Sequence, residues 1–343
     1  MKPLKIAHVT TYGPNQSGLY EASRNMMKAD FLAGNIPYAV DTGIKSDATY
    51  HEPKVGAVDN RGEFSIETQN KDILNNVDVI VMHTYCPEAW LVKNQAPIVW
   101  IMHGRPAAAF RQEVEHEDMT AYTAYGNVSH WPRVKKMIHF WPEYEPYWDL
   151  MIEQGKQEIF EYPAIDEVRF SSEGDKWEIK PENLGTINGL ICDPRRDDID
   201  RFDLIVGAYT ASKAMPGLKW HFFGLDTPIK KVEERMLWEL QRIGGLGTYL
   251  GRVHTMERVY RAFDFLYTPH RIITQIVGEA VACGIKVIAQ NGNKLAAQTI
   301  DVTNPGELIQ AIASIKMREN GKLPTLLEFG EKMDQIYKKV VLM

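Results

Sequence analysis

Short apolar runs separated by helical segments recur along the whole chain, and this alternation constrains the fold more than any other feature. The runs lie at residues 6–9, 38–40, 77–82, 98–102 and 137–140 in the first half and at 185–191, 220–223, 248–250, 265–267 and 286–289 in the second. They are nearly continuous in apolar residues, which is typical of parallel strands covered on both faces. The sequence therefore predicts an α/β protein with two separate sheets.

The segments between the runs have the spacing of amphipathic helices. The first helix is predicted from the apolar positions Leu19, Ala22, Met26, Met27 and Leu32. Gly34 and Asn35 follow it as stop signals. Further helices are predicted at 202–213, 231–242, 275–283 and, as one or two amphipathic helices, 326–343.

The chain has 343 residues, enough for two domains of about 150 residues each. The polar stretch 171–183, SSEGDKWEIKPEN, has the charge and turn content of an interdomain linker. We therefore expect an N-terminal domain at 1–170, a C-terminal domain at 171–325, and a terminal helical segment at 326–343 whose apolar stripe needs a surface to cover.

Composition excludes several classes of protein. With 44% hydrophobic and 24% charged residues, the chain is globular and neither disordered nor fibrous. No run approaches the roughly 18 apolar residues of a membrane span, so we expect a cytoplasmic protein with no membrane insertion. The cysteines Cys86, Cys192 and Cys283 are far apart and odd in number, which favours reduced structural thiols. A pI of about 6.0 disfavours a general electrostatic grip on nucleic acid, although it is compatible with a local basic groove.

The most informative segment is 250–290, LGRVHTMERVYRAFDFLYTPHRIITQIVGEAVACGIKVIAQ. It resembles the donor-binding core of the retaining family 4 glycosyltransferases of GT-B fold, in which LG, YxxAD and PS precede E-x7-E and AxACGxPVIA. The residues in register with that pattern are Gly251, Tyr260, Ala262, Asp264, Pro269, Glu279, Ala280, Ala282, Cys283, Gly284, Val287, Ile288 and Ala289. Weaker matches, among them VDVIVMHTY, APIVWIMHGRP and YPAIDEVRF, occur in the family's order over nearly the whole chain.

The resemblance implies two Rossmann-like α/β domains facing across a cleft. It places the acceptor on the N-terminal domain, to which the terminal helix returns, and the sugar donor on the C-terminal domain. The implied enzyme is a retaining hexosyl- or pentosyltransferase that uses a nucleotide-sugar, a UDP-sugar, as substrate and needs no cofactor or metal. Retention in this family is argued to proceed by front-face attack, with the leaving phosphate taking the acceptor's proton. The acceptor stays open between a small glycan and DNA.

The segment 274–279 supplies the predicted nucleotide site. Thr274 follows the strand end and precedes the helical pattern, so it is a natural N-cap. The backbone amides of Gln275 and Ile276, together with the helix dipole, then suit a diphosphate. Glu279 projects from the same helix and can accept two hydrogen bonds from a ribose diol. The alternative for Glu279 is an ordinary glutamate of a helix.

Arginines supply the predicted positive charge. Arg271 stands where the family has the first glutamate of E-x7-E, which contacts hydroxyls of the donor sugar. A guanidinium only donates hydrogen bonds, so Arg271 either pairs with phosphate or an acceptor-rich sugar or turns to solvent. Arg195 and Arg196 lie where the family neutralises the leaving diphosphate, although they suit a solvated helix start equally well. Arg252 is also included among the donor-binding residues.

On the N-terminal side, His103 ends the strand 98–102 and matches a family histidine that approaches the transferred sugar. We assign it a catalytic role, with a structural histidine as the alternative, and His83 is similarly placed after its strand. Gly13 and Gly18 bracket a loop where the backbone can approach a phosphate or the acceptor, or that forms a plain turn.

Two other functions stay open. Aromatic residues interleaved with Arg133, Lys135 and Lys136 can stack on sugars or bases, or can form core or lid packing. They leave open a phage-type DNA glycosyltransferase acting on hydroxymethylated bases. Arg271 and the unusual spacing of Arg195 and Arg196 favour an inactive GT-B relative that binds nucleotide-sugars as a scaffold.

Overall fold

The computed structural model describes residues 2–10, 18–41, 68–69, 71–83, 94–103, 129–150, 152–192, 201–223, 230–249, 251, 253 and 255–343. The chain divides into two compact units. Unit 1 comprises Met1–Ala164 and Pro324–Met343, and unit 2 comprises Ile165–Leu323. Each unit is built on a parallel sheet with helices, which confirms the α/β class.

Unit 1 contains seven described strands in the order β3-β2-β1-β4-β5-β6-β7, and every pair is parallel. The strands are β1 (Lys5–Thr10), β2 (Ile36–Asp41), β3 (Thr68–Gln69), β4 (Val79–Met82), β5 (Ile98–Met102), β6 (Val134–His139) and β7 (Gln157–Ile159). The described α-helices are α1 (Gly18–Leu32), α2 (Glu145–Trp148) and, at the end of the chain, α8 (Leu326–Leu342). A 3-10 helix at Lys71–Asn76 precedes β4.

Unit 2 contains six described strands in the order β10-β9-β8-β11-β12-β13, again all parallel. They are β8 (Ile187–Cys192), β9 (Leu218–Phe223), β10 (Leu246–Tyr249), β11 (Phe265–Thr268), β12 (Lys286–Gln290) and β13 (Gln298–Ile300). The helices are α3 (Arg201–Ala214), α4 (Lys231–Arg242), α5 (Met256–Tyr260), α6 (Gln275–Ala282) and α7 (Pro305–Ser314).

Each sheet reverses its strand order once. In unit 1 the chain moves outward from β1 to β2 and β3, then returns to pair β4 with the other side of β1. In unit 2 the same reversal lies between β8 and β11. Loops that leave neighbouring strands in opposite directions open a crevice at their carboxyl ends, which is where parallel α/β sheets bind ligands. The fold therefore marks one candidate edge in each unit.

The terminal helix α8 covers α1 in unit 1. Thr325 caps it, with its side chain accepting from the backbone N–H of Glu328, and Phe329 packs on Phe160 with ring centroids 5.0 Å apart. At the crossing, a Cβ added to Gly330 would lie 2.2 Å from the carbonyl oxygen of Ala29. The two helices therefore approach closely at this glycine.

We predict that Gly330→Ala lowers the free energy of unfolding by about 1–3 kcal/mol, because the new methyl group meets rigid backbone and forces α1 and α8 apart. Urea denaturation measures the change. Gln335→Ala, on the exposed face of the same helix, is the matched control and should stay within about 0.5 kcal/mol of the parent. An unchanged or higher stability for Gly330→Ala would contradict this packing.

The stretch expected to be a linker belongs instead to unit 2, and the units divide at Ala164 and Ile165 and not at residue 170. Arg261 explains the difference, since its guanidinium donates to the carbonyl oxygens of Arg169 and Ser171 at 2.7 Å each. Hydrogen bonds therefore hold the polar stretch 171–183 against α5 and the residue that follows it. Composition alone does not distinguish a polar surface segment of a domain from a linker between domains.

Short edge elements escaped the sequence prediction. The strands β3, β7 and β13 have only two or three residues each. Helix α7 begins at Pro305 after the cap Asn304, whose side chain accepts from the N–H of Gly306.

None of the helices that the structure describes combines the length and hydropathy needed to cross a membrane. Cys192 and Cys283 are buried and form no disulfide bond, and burial raises the pKa of the Cys283 thiol to about 12. Cys86 lies outside the described residues.

Candidate functional site

The N-terminus of α6 lies at the carboxyl edge of the unit 2 sheet, directly after β11. Thr274 occupies the N-cap position with an extended backbone (φ −83°, ψ 171°), as predicted. Its side chain, however, makes no capping hydrogen bond, and Oγ1 is buried without a partner in the described structure. The hydroxyl of Thr274 therefore does not cap the amides of the first turn, where Gln275 and Ile276 lie, and this end of the helix favours an anion.

Glu279 lies in the next turn of α6 and is 6% exposed. The hydroxyl of Tyr260 donates a hydrogen bond to its carboxylate. Burial raises the pKa of Tyr260 well above its usual value, so this phenol keeps its proton and acts as a donor. Because the two oxygens of a carboxylate offer about four acceptor sites, the hydrogen bond from Tyr260 uses only part of the acceptor capacity of Glu279.

Arg271 lies in the loop between β11 and α6, and its residue is exposed. Its side chain extends over Gly292, where a Cβ would meet Cγ at 3.1 Å and Nε at 3.2 Å. Gly292 has φ of +102°, a conformation that favours glycine, and its missing side chain makes room for the arginine stem. Arg271 thus presents a cation at the same edge as the N-terminus of α6.

Asn293 fixes this loop, and sequence analysis missed it. Its Nδ2 donates to the carbonyl oxygens of His270 and Ile272, each at 3.0 Å, and its Oδ1 accepts from the N–H groups of Leu295 and Ala296 at 3.0 and 3.1 Å. The side chain is 4% exposed and joins the loop before α6 to the loop after β12. The turn sequence Asn-Gly-Asn at 291–293 was the available signal.

We predict that Asn293→Ala lowers the free energy of unfolding by about 2–4 kcal/mol, because four backbone groups, three of them in buried hydrogen bonds, lose their partner. Chemical denaturation of the full chain measures this loss. The neighbouring Asn291→Ala is the control, since Asn291 is exposed. Equal stability of the two variants would show that the amide of Asn293 does not hold the loop.

In unit 1, the structure brings His83 and His103 together at the carboxyl edge. They follow β4 and β5, and Nδ1 of His83 lies 2.8 Å from Nε2 of His103. The rings are stacked with centroids 5.0 Å apart, and the ring centroid of Phe140 lies 5.8 Å from that of His103. Burial lowers the pKa of His103 to about 3 and that of His83 well below its usual value, so both rings are neutral at neutral pH.

Several predicted site residues cannot be located. Arg195, Arg196 and Arg252 lie outside the described residues, as does Gly13. Gly18 is the first residue of α1. In the described part of the chain, no group of three or more His, Cys, Asp or Glu side chains is placed to hold a metal ion.

A cavity of about 640 Å³ in unit 2 lies at the opposite, amino edge of the sheet. Its lining includes Ile187, Asp264 and Ile285, which begin or precede β8, β11 and β12. Parallel sheets bind their ligands at the carboxyl ends of the strands. We therefore do not place the functional site in this cavity.

The described part of the basic and aromatic cluster in unit 1 is mainly structural. Trp148 is 1% exposed, and Phe140 is buried. Arg133 donates to the carbonyl oxygen of Ala96 at 2.8 Å, and Lys136 contacts Glu158 at 3.5 Å. These cations are engaged by the protein itself.

No family model and no curated protein matches the sequence. Solved structures do match the fold. Anabaena HepE in complex with UDP and glucose is 11% identical, with coverage of 98% of this chain and 99% of that chain and a TM-score of 0.64. Sucrose-phosphate synthase from Thermosynechococcus elongatus is 14% identical, with coverage of 99% and 96% and a TM-score of 0.58. An alpha-glucosyltransferase in complex with UDP and a 13-mer DNA containing a central A:G mismatch is 11% identical, with coverage of 99% and 95% and a TM-score of 0.56.

These matches extend over nearly the full length of both chains in each comparison. At this level of identity they establish the fold alone, and that fold is GT-B, the architecture of a large class of glycosyltransferases. The sequence prediction of the fold is confirmed.

Proposed function

We propose that this protein transfers a sugar from a nucleotide-sugar, a UDP-sugar, to an acceptor hydroxyl, with retention of anomeric configuration. The observation that carries the proposal is the carboxyl edge of unit 2. Four groups lie there within one loop and two helical turns. They are the N-terminus of α6, which has no side-chain cap hydrogen bond, the buried hydroxyl of Thr274, the cation of Arg271 and the carboxylate of Glu279. The names of two of these fold relatives add support: HepE in complex with UDP and glucose, and an alpha-glucosyltransferase in complex with UDP.

In this proposal each group has a separate task. The amides of Gln275 and Ile276 bind the diphosphate, and the hydroxyl of Thr274 donates a further hydrogen bond. Glu279 accepts hydrogen bonds from the ribose hydroxyls while Tyr260 holds its carboxylate in place. Arg271 stabilises the negative charge that develops on the leaving diphosphate, with Arg195, Arg196 and Arg252 as further candidates for the same task.

The DNA-directed alternative is weaker on the described residues. Arg133 and Lys136 are held by backbone carbonyls and a carboxylate, so the cluster around them offers little free charge for a phosphate backbone. We therefore favour a small glycan as acceptor. The inactive scaffold differs from the enzyme only in turnover and is separated from it by experiment.

Binding of UDP to the Glu279→Ala variant tests the nucleotide site. Loss of hydrogen bonds to a charged carboxylate should weaken UDP by about 10- to 100-fold, equivalent to roughly 1.5–3 kcal/mol. Isothermal titration calorimetry measures the dissociation constant. Glu319→Ala is the matched control, because Glu319 is highly exposed and pairs with Lys286 at the start of β12.

Unchanged UDP affinity in Glu279→Ala would contradict the assigned site. Turnover is measured separately as release of UDP from UDP-glucose with and without a glycan acceptor. UDP binding without release from any UDP-sugar would favour the scaffold, and salt-dependent binding of duplex DNA would favour the DNA-directed enzyme.

A further inference from the structure

Unit 1 contains a continuous chain of hydrogen bonds that starts in its interior and ends at His103. Asp30 Oδ2 lies 2.7 Å from Nε2 of His8, and Nδ1 of His8 lies 2.9 Å from Nε2 of His83. The chain continues from Nδ1 of His83 to Nε2 of His103 at 2.8 Å. Tyr337 of α8 donates to the same oxygen of Asp30 at 3.2 Å. We call these five residues the histidine chain.

The histidine chain is enclosed except at one end. His8 and Asp30 are fully buried, and His83 is 4% exposed. His103 is partly exposed, and its Nδ1 has no partner among the described residues. Because His83 and His103 follow β4 and β5, the open end lies at the carboxyl edge next to the strand reversal.

The order of the residues in the histidine chain determines which ring nitrogens carry protons. A neutral imidazole donates through one nitrogen and accepts through the other, and an ionised carboxylate only accepts. With Asp30 ionised, His8 donates through Nε2, so its Nδ1 accepts from His83, and Nδ1 of His83 accepts in turn from His103. The result is a lone pair at Nδ1 of His103.

The same chain can accept one proton without charging His103. If a proton binds Nδ1 of His103, the proton on its Nε2 passes to Nδ1 of His83, and the proton on Nε2 of His83 passes to Nδ1 of His8. The rings of His103 and His83 are then neutral again, and the added proton is shared by His8 and Asp30. The interior end is suited to this, because Oδ1 of Asp30 is buried without a partner in the described structure.

The groups around Asp30 agree with this role. Burial raises the pKa of Asp30, and nearby Asp334 on α8 raises it further, while the hydrogen bonds from His8 and Tyr337 lower it. Burial raises the pKa of Tyr337 well above its usual value, so its hydroxyl stays a donor. The interior carboxylate is thus a better proton acceptor than an exposed aspartate.

We propose that the histidine chain is a proton relay, in which Nδ1 of His103 accepts the proton of a substrate hydroxyl bound on unit 1 and the His8–Asp30 pair holds it. In the front-face attack expected for retention, the leaving phosphate takes the acceptor's proton, and the relay gives that proton a second destination in the interior of unit 1. Its catalytic use rests on the proposed glycosyl transfer, whereas the proton path itself does not. Asp30, His8 and His83 are positioning residues that act through His103.

Nitrogen-15 NMR of the full chain labelled at histidine tests the path without any substrate. At neutral pH, His103 should have a protonated Nε2 and an unprotonated Nδ1, and on acidification it should switch to the other neutral tautomer without forming an imidazolium. His221 is the internal reference, since its Nδ1 accepts from the N–H of Thr248 at 3.0 Å. A protonated Nδ1 on His103 at neutral pH, or direct formation of its imidazolium, would overturn the relay.

Two variants connect the path to catalysis. Asp30→Asn should abolish the tautomer switch and lower kcat for transfer from UDP-glucose by about 10²- to 10⁴-fold, the usual contribution of general-base catalysis. Tyr337→Phe removes a hydrogen bond that lowers the pKa of Asp30, so the acidic limb of the pH–rate profile should move to higher pH. His139→Gln is the control, because His139 is also buried but lies outside the histidine chain. This variant should leave the acidic limb of the pH–rate profile unchanged.

These outcomes separate the relay from the proposed function. If Tyr337→Phe turns over and the acidic limb of its pH–rate profile does not move, the relay is refuted and the glycosyl transfer is kept. A protein with no turnover, but with the tautomer switch in the parent and not in Asp30→Asn, would keep the proton path and refute the catalytic role. Should Asp30→Asn fail to fold, the resonances of Tyr337→Phe still decide, because its switch must occur at higher pH.

Discussion

A single constraint organises both units: all strands of each described sheet run in the same direction, and each sheet reverses its strand order once. Loops that follow neighbouring strands must then meet at the carboxyl edge, and residues distant in sequence become neighbours there. Asn293 after β12 and Ile272 after β11 are one example, and His83 after β4 and His103 after β5 are another. The candidate site residues of both units lie at these edges.

The two edges are specialised in opposite ways. At the edge of unit 2, a helix N-terminus and the exposed cation of Arg271 favour an anion, so the edge is suited to phosphate. At the edge of unit 1, burial keeps His83 and His103 neutral, so the edge is suited to hydroxyl groups and protons. A group-transfer enzyme with a charged leaving group and a neutral nucleophile needs both kinds of surface.

The sequence predicted the repeated strands and the helix after Thr274 because their signals are local: apolar runs, helical spacing and a cap residue. The motif also marked Glu279 and Arg271 as candidate site residues, and their roles stay predictions. The sequence did not identify Asn293, whose four hydrogen bonds join two loops, nor the link from His8 to Asp30, which lie 22 residues apart. Such roles depend on which loops and strands become neighbours, and periodicity does not specify that.

Binding of a uridine nucleotide at the carboxyl edge of unit 2 is tested by hydrogen–deuterium exchange of the full chain with and without saturating UDP. The account predicts slower exchange in peptides that cover 268–282, where the loop and first turns of α6 lie. Peptides at the amino edge, around 185–188 and 284–286, should exchange as before. Protection at the amino edge with none in 268–282 would contradict the account.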